Sequence, residues 1–292
     1  MLVGILTRNE NSWSSTQLRE ALARRNILHI YFRFPQLIAR VGYEPYVNAG
    51  SIRISEKLDA LIVRPIGRGS LEEIVLRMDI LYRLERLGLL VVNPPQAIEH
   101  CADKYAVLAI LEDNGLPVPR TAVTENVGEA LKAFHELGND VIVKPIFGSR
   151  GIGSTRVTNP EVAATIFKAI TFYHGGVYLQ EFVPHGFSDI RAFVIGNRVV
   201  AAMKRVANTW KTNYSQGAKP VPMKLDKTLE EMAVKSASVV ECKIAGVDIL
   251  EGSRGPLFVE VNSQPGWRGL QSVTSFNIAD EIVDFVLSEL EK

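Results

Sequence analysis

Phe258-Val259-Glu260-Val261-Asn262 is an apolar run that carries a carboxylate and an amide two residues apart. Strand side chains alternate with period two, so Glu260 and Asn262 are expected on one face with Phe258 in phase. Val259 and Val261 are expected to pack on the other. Asp248 sits near the end of another apolar run, Gly246–Leu250, which the pattern pairs with Leu257–Val261. Asp248, Glu260 and Asn262 together offer hard oxygen donors of the kind that suits Mg2+, with water and phosphate completing an octahedral shell. Polar satisfaction at a sheet end explains Asp248 taken alone. The three together favour a metal, because buried carboxylates without a cation or donors are costly.

Upstream, Val141-Ile142-Val143-Lys144-Pro145 runs into Gly148-Ser149-Arg150-Gly151-Ile152-Gly153. Pro145 disfavours helix at Lys144, which supports a strand end from which the ammonium can meet phosphate. Gly148, Gly151 and Gly153 allow close backbone approach, and successive amides with Ser149 can donate to phosphate oxygens. The spacing matches neither a P-loop nor a first-strand Rossmann fingerprint. A surface loop is the bland reading of the glycines; Lys144 and the distant carboxylates shift the balance to phosphate. A second basic series, Arg191, Lys204, Arg205 and Lys211, continued by Asn213, straddles an expected hairpin of Ile190–Ile195 and Val199–Lys204 turning at Gly196-Asn197. Alternation puts Asp189, Arg191 and Phe193 on one face and separates Lys204 from Arg205.

The 292 residues carry 33 Lys and Arg against 32 Asp and Glu, with 47% hydrophobic and 22% charged residues. That balance supplies no global field for nucleic acid or an anionic membrane and describes a globular enzyme. Two cysteines, Cys101 and Cys242, define neither a metal motif nor a disulfide scaffold, and a reduced interior is expected. The start, Met1–Leu6, reads as a core strand and not as a signal peptide, and no apolar run reaches the roughly 20 residues of a membrane span. A cytoplasmic protein is the expectation.

Periodicity predicts strands at Leu2–Leu6, Ile27–Phe32, Ala60–Val63 and Leu89–Val92 with helices over Ser15–Arg25 and Leu71–Leu87, an α/β unit with a mostly parallel sheet. Asn93-Pro94-Pro95 marks a joint. Beyond it come helices at Ala97–His100, Lys104–Asn114, Gly128–Leu137, Glu161–Phe172, Lys227–Cys242 and Phe276–Leu287, and strands at Arg120–Val123, Val141–Lys144 and Val177–Phe182. The expected domains are 1–95, 96–185 and 186–292.

The ordered set of Lys144-Pro145 with its glycine loop, Gln180-Glu181-Phe182-Val183, Asp189–Val194, Val259–Asn262 and Gln264-Pro265-Gly266-Trp267 resembles the RimK-type ATP-grasp carboxylate–amine ligases. The resemblance implies an N-terminal α/β domain ahead of two α+β lobes that enclose ATP. It implies that Lys104 and Lys144 bind nucleotide with Gly148, Ser149, Gly151 and Gly153. Gln180, Glu181, Phe182 and Val183 would meet adenine and ribose, with Asp189 nearby. Asp248, Glu260 and Asn262 would hold two Mg2+ ions, with Mn2+ as a substitute. Arg205 and Asn213 would stand near the reacting phosphate and substrate, and Arg191 would bind phosphate or carboxylate. The implied chemistry is acylphosphate formation from a substrate carboxylate, then attack by an amine, with Lys144, Arg205 and Asn213 as catalytic groups. L-Glutamate is the implied amine. The 264–271 segment is similar to that of archaeal ligases acting on coenzyme tails, which makes a tetrahydromethanopterin-type carboxylate the expected acceptor. Deazaflavin, carrier-protein and ribosomal-protein acceptors stand as alternatives. Arg268 is the candidate for the acceptor carboxylate, Trp267 for its apolar part or for loop packing, and Arg8, Arg64 and Arg68 for selection of an anionic acceptor. A nonhydrolytic regulator or a nucleic-acid binder fits the metal set and charge balance less well. A homo-oligomer is compatible with this reading.

Overall fold

The computed structural model describes residues 1–148 and 151–292. In the N-terminal part, β1 (Leu2–Leu6), α1 (Trp13–Arg24), β2 (Leu28–Phe32), β3 (Leu37–Ala39), β4 (Val47–Ala49), β5 (Ile52–Arg53), α2 (Ile54–Lys57), β6 (Ala60–Val63), α3 (Leu71–Arg86) and β7 (Leu90–Val92) follow in order. β2-β1-β6-β7 form a parallel sheet. The fully buried β6 run Ala60-Leu61-Ile62-Val63 is what a strand covered on both faces requires. Of the small antiparallel sheet β3-β4-β5, β5 falls inside Ser51–Ile54, a stretch whose pattern resembles a small strand, whereas β3 and β4, three residues each, are too short to show a period.

Past the joint come α4 (Pro95–Ala102), α5 (Lys104–Asp113), β8 (Thr121–Thr124), α6 (Val127–Glu136), β9 (Val141–Lys144), β10 (Thr155–Val157), α7 (Pro160–Phe172) and β11 (Val177–Glu181). An antiparallel sheet β10-β9-β11-β8 is backed by α6 and α7, with Phe134 and Phe167 fully buried between them. The last part holds β12 (Ser188–Ile195), β13 (Arg198–Val206), β14 (Lys219–Met223), α8 (Lys227–Val239), β15 (Ile244–Gly252), β16 (Gly255–Asn262), α9 (Arg268–Gln271) and α10 (Ile278–Leu290), with sheet order β14-β13-β12-β15-β16. The hairpin turn falls at Gly196-Asn197, and only Gly196 takes a positive φ, 57°. β14 contains Pro220 and Pro222, which remove ladder donors; the strand lies at the sheet edge, where that loss is tolerated.

The two faces of the last sheet do different work. Ile190, Ala192 and Val194 of β12 join Val247, Ile249 and Val261 in a core with α8 and with Ala97, Val107, Leu108 and Leu111 of α4 and α5. Phe193 and Ile195 point the other way, into a core shared with α10, Trp267 and Val3, Ile5, Leu18 and Leu22 of the N-terminal part. Asn93 locks this junction: its side chain accepts from Ile244 N at 2.8 Å and donates to Ile244 O at 2.7 Å and to Ser263 O. Arg25 adds ion pairs to Asp280 and Asp284 between α1 and α10. Among the described residues no helix is long and apolar enough to cross a membrane. Cys101 and Cys242 are free thiols with Sγ atoms 3.4 Å apart.

Candidate active site

A β-bulge shapes the acidic strand. Asp248 pairs with Glu260 but Ile249 pairs with Phe258, so Val259 is an extra residue in β16. Simple alternation placed Phe258 on the face of Glu260. The bulge overturns this: Phe258 is fully buried in the core with Val261, on the opposite face. Glu260 and Asn262 keep their common face, and the pairs Gly246–Asn262 and Asp248–Glu260 bring all three candidate ligands together. Asn262 donates to Gly246 O at 3.2 Å, which aims its amide oxygen away from that carbonyl.

Asp248 faces a cationic wall. Arg191 Nε lies 3.0 Å from its Oδ1, and Arg205 Nη2 lies 3.0 Å from the same atom. Neither contact has hydrogen-bond alignment, so Asp248 Oδ1 and Arg191 Nη1 are buried with no hydrogen-bond partner. Arg205 instead spends its hydrogen bonds on Asp189, from Nε to Oδ1 at 2.7 Å and from Nη2 to Oδ2 at 2.5 Å. Thr212 Oγ1 donates to the same Asp189 oxygen at 2.7 Å. Burial works against the charge of Arg205, but Asp248 and Asp189 outweigh it and hold the guanidinium above its ordinary pKa. For Arg191 burial wins, and its pKa is lowered. Asp189, expected near the ribose, has both carboxylate oxygens engaged in this network.

Glu260 makes no hydrogen bond or ion pair among the described residues. Burial and the charge of Asp248 push its pKa up, against the opposing pull of Lys104, Arg191 and Lys144. Two carboxylates and an amide that share one face, with lone pairs left over, fit a hard divalent cation, which would relieve this repulsion. No group of three or more His, Cys, Asp and Glu side chains suited to a metal occurs among the described residues, so the candidate cradle depends on the Asn262 amide and on a ligand's oxygens.

Lys144 ends β9 and donates to Gln180 Oε1 at 2.6 Å, with Gln180 held in turn by Thr121 and Tyr178. Asp103 caps α5 through Tyr105 N and Ala106 N and so fixes Lys104 as its first residue. Lys104 Nζ donates to Gly148 O at 2.7 Å and Ile146 O at 3.2 Å, at the entry to the glycine loop. Gly151 and Gly153 take φ of 67° and 81°. At Gly151 a Cβ would stand 2.4 Å from Asn213 Oδ1, so the two lobes meet at this loop. Ser149 lies outside the described residues. Glu181 accepts from Arg120 N at 2.9 Å and Arg120 Nε at 2.8 Å and pairs with Arg254, while Glu181 N and Phe182 N donate to Arg120 O and Asp140 O. Val183 is buried beneath. Arg120, Arg254 and Thr212 had no motif or spacing to reveal them; each acts through a contact distant in sequence.

Burial depresses Lys144 to about 8, partly offset by Glu260 and reinforced by Lys104. A phosphate bound beside Lys144 would favour the ammonium and raise that pKa. Nucleotide affinity is therefore expected to be highest below pH 8 and to fall as pH rises through it, with proton uptake on binding. Calorimetry of Mg–ADP at pH 8.5 in buffers of different ionisation enthalpy reads that uptake directly, and Lys144→Met should remove it.

Arg268 is exposed at the start of α9, where Gly269 lies flat against the Tyr214 ring beside Asn213. For the neighbouring residues, one open alternative is decided, at Trp267, and one expectation is corrected, at Arg64. Trp267 is 1% exposed and packs edge-on to Trp13 and Phe193, so it is a core anchor and does not cover an acceptor. Arg64 is buried with its guanidinium 4.9 Å from the Trp267 ring and donates to Pro265 O, so it braces the interface while Arg8 and Arg68 face a cavity. At Gly246 a Cβ would stand 2.3 Å from Arg191 Nη1 and 2.9 Å from Pro265 Cβ. Gly246→Ala is expected to displace Arg191 and lower kcat by about tenfold or more, the scale of a local overpacking strain, with the melting temperature as the control measurement.

The sequence model of a RimK-like ATP-grasp domain matches residues 101–286. The chain belongs to the RimK-like ATP-grasp family. It is 33% identical over 293 residues to the tetrahydromethanopterin:alpha-L-glutamate ligase of Methanococcus maripaludis, covering 99% of this chain and 98% of that protein. It is 34% identical over 321 residues to the protein of the same name from Methanosarcina acetivorans, covering 97% and 98%. Among solved structures it is similar to the ATP-grasp ligase PsnB complexed with minimal precursor, with TM-score 0.79, 20% identity and 98% of each chain covered. A RimK domain ATP-grasp protein from Sphaerobacter thermophilus gives TM-score 0.77 and 22% identity, covering 98% and 99%. This RimK-like chain therefore has the ATP-grasp fold and is an ATP-dependent ligase. ATP-grasp ligases use ATP with Mg2+.

Proposed function

We propose that this ligase joins the amino group of L-glutamate to a carboxylate of a tetrahydromethanopterin-type coenzyme through an acylphosphate. The observation that carries the reading is that Lys104 and Lys144 lie close enough to Glu260 to act on its charge, while the pairs Gly246–Asn262 and Asp248–Glu260 put the three candidate oxygen donors side by side. Relatives named for that reaction cover 97–99% of the chain, which supports the choice of acceptor and amine.

Lys104, Lys144 and the amides of Gly148, Gly151 and Gly153 bind the phosphates, and the Gln180–Val183 backbone borders the base. Asp248, Glu260 and Asn262 would hold Mg2+, which would neutralise charge on the triphosphate when bound. The acceptor carboxylate attacks the terminal phosphorus, the bond to the bridging oxygen breaks and ADP leaves. Arg205 and Arg191 stabilise charge on the transferred group, Arg205 remaining pinned to Asp189. The glutamate amine then attacks the acyl carbon, phosphate departs and the amine loses a proton, leaving an amide. Asn213, at the glycine loop, and exposed Arg268 orient the acceptor and help exclude water from the acylphosphate.

The test is a panel of pteridine, deazaflavin and carrier-protein acceptors with ATP, Mg2+ and glutamate, read by product mass and phosphate release. A product heavier by one glutamyl residue on the pteridine carboxylate is the expected result. Glutamylation confined to another acceptor would reject the assignment.

A further inference from the structure

The carboxyl ends of β1 and β6 enclose a cavity of about 170 Å³ that the proposed chemistry does not use. It is lined by Thr7 and Arg8 after β1, Arg33 and Phe34 after β2, Ile66 and Arg68 after β6, and Arg77 of α3. In the sheet order β2-β1-β6-β7, the chain leaves β1 toward one edge and β6 toward the other. The cavity therefore sits at the switch point of a parallel sheet, the crevice where such sheets receive ligands.

Its charge is one-sided. Four arginines line it and no carboxylate does. Among the described residues Arg8, Arg33 and Arg68 form no ion pair within 4 Å. Arg77 is the exception, paired with Glu73 at 3.3 Å. It also donates to Ile66 O and Arg68 O, both at 3.0 Å, which fixes the loop that carries Arg68. Arg8 lies over Gly67, whose φ is 88°; a Cβ there would stand 2.8 Å from Arg8 Cδ. Arg77 thus fixes one wall, and the exposed Arg8, Arg33 and Arg68 border the same cavity with no ion-pair partner among the described residues.

The cavity is also tied to the reaction site. Gln264 donates to Arg64 O at 3.2 Å, Arg64 donates to Pro265 O, and Pro65 follows directly as cavity lining. Gln264 is two residues beyond Asn262, so these links cap the separation of cavity wall and candidate metal ligand at roughly 20 Å. The volume is below that of a pocket for a whole drug-sized ligand, roughly 300 Å³ or more, and suits one end group.

We infer that the cavity at the β1/β6 switch point is an oxyanion subsite, in which Arg8, Arg33 and Arg68 hold a phosphate or carboxylate of the acceptor remote from its reacting carboxyl. As an acceptor subsite it rests on the ligase reading above; as an anion site it does not. Arg33→Gln/Arg68→Gln is the test variant, and Arg86→Gln, an exposed change on α3, is the control. With the nucleotide site saturated by Mg2+ and a nonhydrolysable ATP analogue, inorganic phosphate and L-malate are titrated by calorimetry. The expected result is saturable binding to the parent protein, weakened about tenfold or more in the double variant and unchanged in the control. Tighter phosphate than malate identifies a phosphate end group, and the reverse a carboxylate. In turnover, the acceptor KM should rise by a similar factor while kcat and the ATP KM hold. Where an acceptor turns over, an unchanged acceptor KM overturns the inference. Where none does, the ligase reading fails alone, and the titration decides: no saturable binding, or equal binding by the double variant, overturns the site.

Discussion

A Glu260→Ala protein is expected to fold and retain nucleotide but to lose ADP formation by on the order of 10^3-fold, the scale on which removal of a preorganised charge partner acts. The split follows from what Glu260 touches. It has no hydrogen bond or ion pair among the described residues, so nothing in the fold depends on its carboxylate. Its charge nonetheless couples to Asp248, Lys104, Arg191 and Lys144, the groups facing the proposed triphosphate. Removing it takes away a repulsion with Asp248 that burial aggravates, and the melting temperature should hold or rise. Single-turnover ADP formation and equilibrium binding of Mg–ADP separate the two effects. Undiminished amide formation in this variant would remove Glu260 from the metal role.

Arg205→Ala has the opposite signature. The guanidinium side chain is 4% exposed and contacts two carboxylates, Asp189 and Asp248, on neighbouring strands. Its loss leaves the Asp189 charge buried without a cation and leaves Asp248 with Arg191 alone, a change that costs about 3–5 kcal/mol. A melting temperature roughly 10 °C lower is expected, together with loss of activity. Asp189→Asn placed in the Arg205→Ala background should recover part of the stability, because one uncompensated charge is then gone. Urea unfolding of the two single variants and the double closes the cycle. Additive losses would mean that Asp189 and Arg205 do not act as a pair.

Most strand and helix positions were legible because burial imposes a period. The all-apolar β6 run, the Lys227-start helix and the Gly196-Asn197 turn were each readable from local pattern. The short β3 and β4 strands carry too few residues to show a period, and the prolines of β14 argue against a strand until its edge position is known. Phe258 shows the limit of alternation: one inserted residue reverses the phase, and nothing in Phe258–Asn262 marks Val259 as the extra one.

At the site, residue type announced the donors and cations, and the family resemblance ordered them. The sequence alone determined that Lys144 ends a strand before a glycine loop, that Glu260 and Asn262 share a face, and that Lys204 and Arg205 part company, because each follows from backbone geometry over a few residues. Only the tertiary structure decided that Asp189 and Asp248 hold Arg205, that Arg120 and Arg254 occupy Glu181, and that Trp267 is core. It alone gathered Arg8, Arg33 and Arg68 around one cavity. These are encounters between segments far apart in the chain, set by how sheets and helices pack, and local sequence carries no record of which side chains such packing brings face to face.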